Sequence, residues 1–165
     1  MQTSRSSALV WMWLGASLLV AAVVAPAAFA VLPSRALAGA VVGRVLPVIF
    51  WAGIVIGAWM LWEGRGWRRV AATFVVLACA VAQLAVAPRI AQSRRALGPD
   101  MERVAPDDPR RVAFGRLHAL SVGLLGIGMA AAGAIALGSL GLSFGRVRRH
   151  SSLDPALRSA RPEGI

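Results

Sequence analysis

Four polar side chains, carried near the ends of long apolar stretches, could together form a binding site: Arg44, Gln83, His118 and Ser121. They offer a cation, an amide, an imidazole and a hydroxyl, which suit an anion, a small polar molecule or the edge of a cofactor. Polar groups within a membrane span usually face the interior of a helix bundle. The alternative is that Arg44 extends to lipid head groups, His118 lies at the interface, and Gln83 and Ser121 bond to neighbouring backbone.

Other chemistry finds little support in the residue types. The single Cys79 can form no internal disulfide, and no Cys/His spacing typical of a metal site is present. The second histidine, His150, lies in the carboxyl-terminal tail, so the spans offer one histidine and not the two that bis-histidine haem ligation needs. Ser121 near His118 lacks an acid at a similar depth, which disfavours a hydrolase. The sequence requires no cofactor, and we expect no enzymatic activity.

Four apolar stretches would position these side chains. Each is about 18 to 25 residues long, which suffices for a helix to cross a hydrocarbon layer ~30 Å thick. Hydrophobic residues make up 58% of the chain. We therefore predict an all-α polytopic membrane protein, a four-transmembrane-helix bundle. The predicted spans are Ala8–Ala30, Val41–Trp62, Val70–Ala87 and Ala119–Leu142, within a domain covering residues 1–142, followed by an Arg-rich flexible tail over 143–165.

Charge supports the lipid bilayer, and not nucleic acid, as the main partner. The net charge is +11, and all 18 basic residues are arginines that lie in segments flanking the apolar stretches, where they meet head groups. Lys, Asn and Tyr are absent, which indicates a GC-rich, bacterial genome. We expect a multi-pass protein of the bacterial cytoplasmic membrane. The arginines divide evenly between the two sides, and we favour cytoplasmic termini.

Local signals predict where helices begin and bend. The first stretch resembles a signal peptide ending at Ala30, but its length favours an uncleaved first helix. Ser34 is predicted to cap the second helix, and Asp108 followed by Pro109 predicts the start of the fourth. Pro26 and Pro47 are expected to bend the first and second helices.

Small residues and tryptophans suggest how the helices pack. Gly39/Gly43 and Gly53/Gly57 are GxxxG pairs on the second helix, which permit close helix contacts within the bundle or, alternatively, between copies of the chain. A homo-oligomer or a membrane partner therefore stays open. Five of the six tryptophans are predicted to form one interfacial belt, namely Trp11, Trp13, Trp59, Trp62 and Trp67.

Two segments resemble the transmembrane protein 205-like family, a family of unknown function. The first is Pro26–Phe29 followed by Ala38–Arg44; the second is Phe114–Ser121, which fits a Phe-x-x-Leu-His-x-x-Ser signature. Pro88–Ile90 fits more loosely. The resemblance implies a four-helix membrane domain, distantly similar to copper-resistance membrane proteins and to a haem-pathway protoporphyrinogen oxidase of bacterial membranes.

Two functions follow as hypotheses. The first is a non-enzymatic membrane protein with a binding, packing or transport-assisting role. The alternative is a membrane redox or tetrapyrrole-handling protein in which His118 contacts a haem-like cofactor. Haem absorbance of the purified protein would separate the two.

Overall fold

The computed structural model shows four helices that are long and apolar enough to cross a membrane, which confirms the predicted fold class. It describes residues 2–98, 104–105 and 107–158, and the side chains of residues 6–98, 104–105 and 107–139. Within these ranges no strand is present. The long helices start or end near Ser34, Leu97 and Asp108 at one end of the bundle, here called the Arg94 end, and near Ser6, Glu63 and Trp67 at the other, here called the Glu63 end.

The first helix contains an unexpected π-helical turn. It consists of α1 (Gln2–Leu19), the π turn Val20–Val24 and α2 (Ala25–Val31). Pro26 follows the π turn, and because proline has no N–H, it cannot donate to the preceding turn. The π turn thus lies directly before the position where the sequence predicts a bend.

The second helix, α3 (Arg35–Glu63), starts as the sequence predicts. The Ser34 hydroxyl accepts a hydrogen bond from the Leu37 N–H over 3.2 Å, which satisfies one of the free donors of the first turn. Pro47 lies inside this helix. The connection from Val31 to Arg35 is short, so α2 and α3 are antiparallel neighbours.

The third helix repeats the pattern of the first. It consists of α4 (Trp67–Ala80), the π turn Val81–Val86 and α5 (Ala87–Leu97), with Pro88 shortly after the turn. Glycines with positive φ bound it, Gly66 at +58° before α4 and Gly98 at +72° after α5. Both positions need the left-handed region, which glycine enters without strain.

The fourth helix, α6 (Pro109–Arg158), is longer than predicted. Asp108 Oδ1 accepts from the Arg110 N–H over 2.8 Å, which confirms the cap. The backbone stays helical beyond the predicted span end at Leu142, as far as Arg158, and the segment predicted as a flexible tail over 143–165 is described only that far. The backbone remains helical through Gly145 and Pro155, so neither residue ends the helix.

The helices pack in a ring, in which each contacts the next along the chain and the fourth also contacts the first. The core includes residues of all four, among them Trp13, Phe50, Cys79 and Ile135. This arrangement brings the second, third and fourth helices together around the region where the predicted site residues lie.

Candidate polar site at the Arg94 end

Trp13 lies at the centre of the bundle, where it joins all four helices. It is 3% exposed, and its Nε1 donates to the backbone carbonyl of Ile49 over 2.8 Å. A Cβ placed on Gly53 would lie 2.9 Å from Trp13 Cζ2, and one on Gly128 would lie 3.5 Å from its Cη2. The prediction that Trp13 belongs to an interfacial belt is therefore wrong.

Cys79 completes this central layer, defined here as Trp13, Gly53, Cys79 and Gly128. Its Sγ lies 2.6 Å from a Cβ placed on Gly53 and 3.8 Å from one placed on Gly128. The layer is close to the middle of the apolar stretches of the second, third and fourth helices. We place the middle of the hydrocarbon core at this layer, so that its boundaries lie about 15 Å away on each side.

The four predicted site residues lie in the half of the bundle toward the Arg94 end, at different depths. Counted along each helix from the central layer, Gln83 is about 6 Å away and Ser121 about 10 Å. Arg44 and His118 lie farther out, at about 14 and 15 Å, where the hydrocarbon ends. The spread of about 9 Å means that the four do not form a single layer.

Gln83 and Ser121 turn toward neighbouring helices. Gln83 is half-buried, and its Oε1 is fully shielded yet accepts no hydrogen bond from any described residue. Ser121 is 5% exposed. Gln83 belongs to the π turn Val81–Val86, which contacts α6, the helix that carries Ser121.

Arg44 and His118 are more exposed than the other two. The His118 ring stacks on Phe114, with centroids 6.3 Å apart and planes within 8°. Among the described side chains, no hydrogen bond joins His118 to Ser121 or to Gln83, and no group of three or more His, Cys, Asp or Glu residues could hold a metal ion.

Two hollows in the described part lie elsewhere. One is small and apolar, in the half toward the Glu63 end, and is lined by residues that include Val10, Trp13, Gly57 and Ile135. The other is a shallow groove on the outer face of α3, lined by Pro47, Val48, Trp51, Ala52, Val55 and Ile56. Neither contains any of the four predicted site residues.

The predicted packing glycines behave as two different pairs. Gly53 and Gly57 face other helices closely: a Cβ on Gly57 would lie 2.7 Å from Val76 Cγ2. Gly39 and Gly43 instead face a side chain, the guanidinium of Arg94.

Comparison with known proteins gives one match. A model for a family described as a domain of unknown function, DUF4149, matches residues 8–98. The chain belongs to the DUF4149 family. No curated protein and no solved structure matches it.

The DUF4149 match covers the first three membrane helices, and therefore Arg44, Gln83 and the four packing glycines. His118 and Ser121 lie beyond it. The chain is thus an integral membrane protein whose family carries no assigned activity.

Sequence reasoning missed Arg94 in this DUF4149 chain. A Cβ on Gly39 would lie 3.1 Å from Arg94 Nη2, and one on Gly43 would lie 3.4 Å from Nη1. The GxxxG spacing suggested a helix face, but it could not show that a long side chain from another helix covers that face.

Proposed function

We propose that this chain is a non-enzymatic binding protein of a membrane, which holds a small hydrogen-bond-donating molecule in the half of the bundle toward the Arg94 end. The observation that carries the proposal is the shielded Gln83 Oε1 without a donor among the described residues. Ser121, about 4 Å farther out in depth on the neighbouring helix, offers a second polar group.

The unpaired Gln83 Oε1 lowers the free energy of unfolding. A buried carbonyl oxygen left without a donor costs about 1–3 kcal/mol. Gln83 lies within the hydrocarbon depth, where bulk water does not compensate it. A methionine or leucine would fill similar space without this cost, so the amide favours a donor supplied from outside the protein.

The backbone around Gln83 supports the same interpretation. Single π turns inside α-helices occur frequently at functional sites. Gln83 lies in the turn Val81–Val86, which contacts α6 and also α3, and Arg44 and His118 lie about 8 to 9 Å farther out. Because Oε1 is shielded, a polar molecule that enters from the Arg94 end must displace neighbouring side chains to reach it.

The geometry gives little support for catalysis at these residues. A nucleophile needs a base within hydrogen-bond reach, about 2.6–3.2 Å. Ser121 makes no hydrogen bond with His118, whose ring instead stacks on Phe114. The binding role is thus favoured over a hydrolytic one.

The test compares two glutamines of the third helix. Gln83→Leu removes the shielded acceptor, whereas Gln92→Leu makes the same chemical change at an exposed position of α5. Wild-type protein and both variants are purified in a mild detergent, denatured, and the released small molecules identified by mass spectrometry. We expect a molecule in near-stoichiometric amount from wild type and Gln92→Leu, and its loss from Gln83→Leu.

Two results would overturn the proposal: a wild-type protein that releases no such molecule, or a Gln83→Leu variant that retains it in full. Loss of folding is not expected to obscure the result, because leucine relieves the unpaired acceptor. The measured thermal stability of Gln83→Leu should equal or exceed that of wild type from which the bound molecule has been removed.

The tetrapyrrole hypothesis makes a different prediction for the same preparations. A haem bound through His118 would give an intense visible absorbance band that His118→Ala weakens and Gln83→Leu leaves in place.

The proposed location is the bacterial cytoplasmic membrane, supported by the arginine-only basic composition, and membrane fractionation checks it.

A further inference from the structure

We infer that the Arg94 guanidinium, seated on Gly39 and Gly43, forms a binding site for a phosphate group, and that the head group of an anionic phospholipid, whose phosphate charge no choline neutralises, occupies it. This site is separate from Gln83, because it lies outside the hydrocarbon core and involves a different pair of helices.

The position is set by the glycines. Along α3, Gly43 lies about 15 Å and Gly39 about 21 Å from the central layer. A bilayer with its head groups is about 40–45 Å thick, so its lipid phosphates lie at roughly this distance from the middle. The guanidinium that contacts both glycines is therefore at phosphate depth.

The glycines also fix how the guanidinium lies. With no side chain at either position, Arg94 Nη1 and Nη2 come within 3.4 and 3.1 Å of the points where Cβ atoms would stand. The group is half-buried against α3, although it originates from α5. Such seating restricts a long side chain before a ligand arrives, which reduces the entropy lost on binding.

The charge of Arg94 has no partner within the described part of the protein. It makes no ion pair and no hydrogen bond there. At this end of the bundle, Asp108 forms its ion pair with Arg110 and not with Arg94. A planar guanidinium with free N–H groups matches two oxygens of a phosphate.

Three helices carry further exposed arginines at this end: Arg44, Arg89, Arg95 and Arg116. None of them forms an ion pair with a described residue. They raise the local concentration of anionic lipid. Because they are exposed and lack a glycine seat, they supply general attraction, whereas Arg94 supplies the specific contact.

The experiment places the full chain in nanodiscs of phosphatidylcholine with increasing phosphatidylglycerol, at constant salt, and measures thermal unfolding by tryptophan fluorescence. Two variants make the same change of charge at adjacent residues. Arg94→Gln removes the seated group, and Arg95→Gln removes an exposed one. We expect the unfolding temperature of wild type to rise to a plateau, Arg95→Gln to retain most of the rise, and Arg94→Gln to lose at least half of it.

A second pair of variants keeps every charge. Gly39→Val fills the seat and should displace the guanidinium, whereas Ala40→Val adds similar bulk at an exposed neighbouring position. Gly39→Val should lose the same share of the rise as Arg94→Gln, and Ala40→Val should retain it. These variants test the site even if Arg94→Gln folds poorly.

Inorganic phosphate, added to discs of phosphatidylcholine alone, separates the two sources of the ligand. A head-group site predicts little stabilisation by free phosphate, and a full rise with free phosphate would overturn the assignment to lipid. Equal losses in Arg94→Gln and Arg95→Gln would overturn the site itself and leave only general surface attraction. So would a wild-type protein whose unfolding temperature does not depend on phosphatidylglycerol.

Discussion

The indole N–H of Trp13, on the first helix, donates to the backbone carbonyl of Ile49, on the second, over 2.8 Å in the middle of the bundle. Since an indole N–H in hydrocarbon has no water to bond with, this acceptor determines how deep and in which direction the ring can lie. The ring in turn fills the space left by Gly53 and Gly128.

Replacing Trp13 should therefore destabilise the bundle. Trp13→Phe loses the hydrogen bond and leaves part of the space empty, and we expect a loss of about 1–3 kcal/mol in unfolding free energy. Unfolding in mixed detergent micelles measures it. Trp62→Phe, at a position 92% exposed, is the control and should change stability by less than about 0.5 kcal/mol. Similar losses in both variants would contradict the central role of Trp13.

Glycines that face another helix should resist substitution, and those that face lipid should not. A Cβ at Gly53 would lie 2.6 Å from Cys79 Sγ, and one at Gly57 would lie 2.7 Å from Val76 Cγ2. We expect Gly53→Leu and Gly57→Leu to cost about 1–3 kcal/mol or more, because the helices must separate. Ile54→Leu serves as the conservative control.

A second control uses Gly126, where nothing lies within 4 Å of an added Cβ. Gly126→Ala should be neutral or stabilising, since alanine favours a helix by roughly 0.5–1 kcal/mol over glycine. Melting temperatures in detergent give the comparison, and equal values for all of these variants would show that the Gly53/Gly57 face does not pack.

The start of α6 should depend on pH through Asp108. The side-chain hydrogen bonds from Arg110, together with that residue's backbone N–H, hold the pKa of Asp108 below its usual value. A lowered pKa means that the ionised cap stabilises the folded helix at neutral pH, and that this contribution is lost as the pH falls through the folded-state pKa, below 3.8.

Hydrogen exchange of the first-turn amides of α6 measures this effect. Exchange should accelerate at acidic pH in wild type beyond its intrinsic pH dependence. Asp108→Asn keeps an acceptor at the cap but cannot titrate, so its protection should not change with pH in this way. If the two proteins respond alike, Asp108 is not the titrating group.

Cys79 should be unreactive while the bundle is folded. Its side chain is 0% exposed, between Gly53 and Gly128. A membrane-permeable maleimide should modify it only after unfolding in a harsh detergent. As a control, Ala40→Cys in a Cys79→Ser background should react at once, because position 40 is exposed at the Arg94 end. Rapid labelling of Cys79 in native protein would show that the central layer opens.

Much of the fold follows from short signals in the sequence. The four apolar stretches give the spans, and Ser34, Gly98 and the Asp108–Pro109 pair mark helix ends, because each of these residues acts on backbone groups within one turn. Such local interactions can be predicted without knowing which helices are neighbours.

The direction that each side chain faces could not be predicted in the same way. The spans are apolar on all sides, so no periodic pattern distinguishes the bundle interior from lipid. Trp13 was therefore assigned to an interface. The sequence also gives no common origin for depths along different helices, so it could not show that Gln83 lies about 9 Å deeper than His118. Arg94 was missed since its contact with Gly39 joins two helices far apart in sequence.

The π turn Val81–Val86 also determines the direction, around the helix axis, in which the later side chains of the third helix point. A π turn accommodates about one residue more than an α turn, so it rotates the rest of the helix by roughly 100° relative to an uninterrupted α-helix. Deleting one residue there would still leave a stretch long enough to cross the bilayer, yet Arg94 would point away from Gly39 and Gly43. In alignments of this family, a gap of one residue in that turn would therefore indicate a larger change in side-chain directions than many substitutions elsewhere in the span.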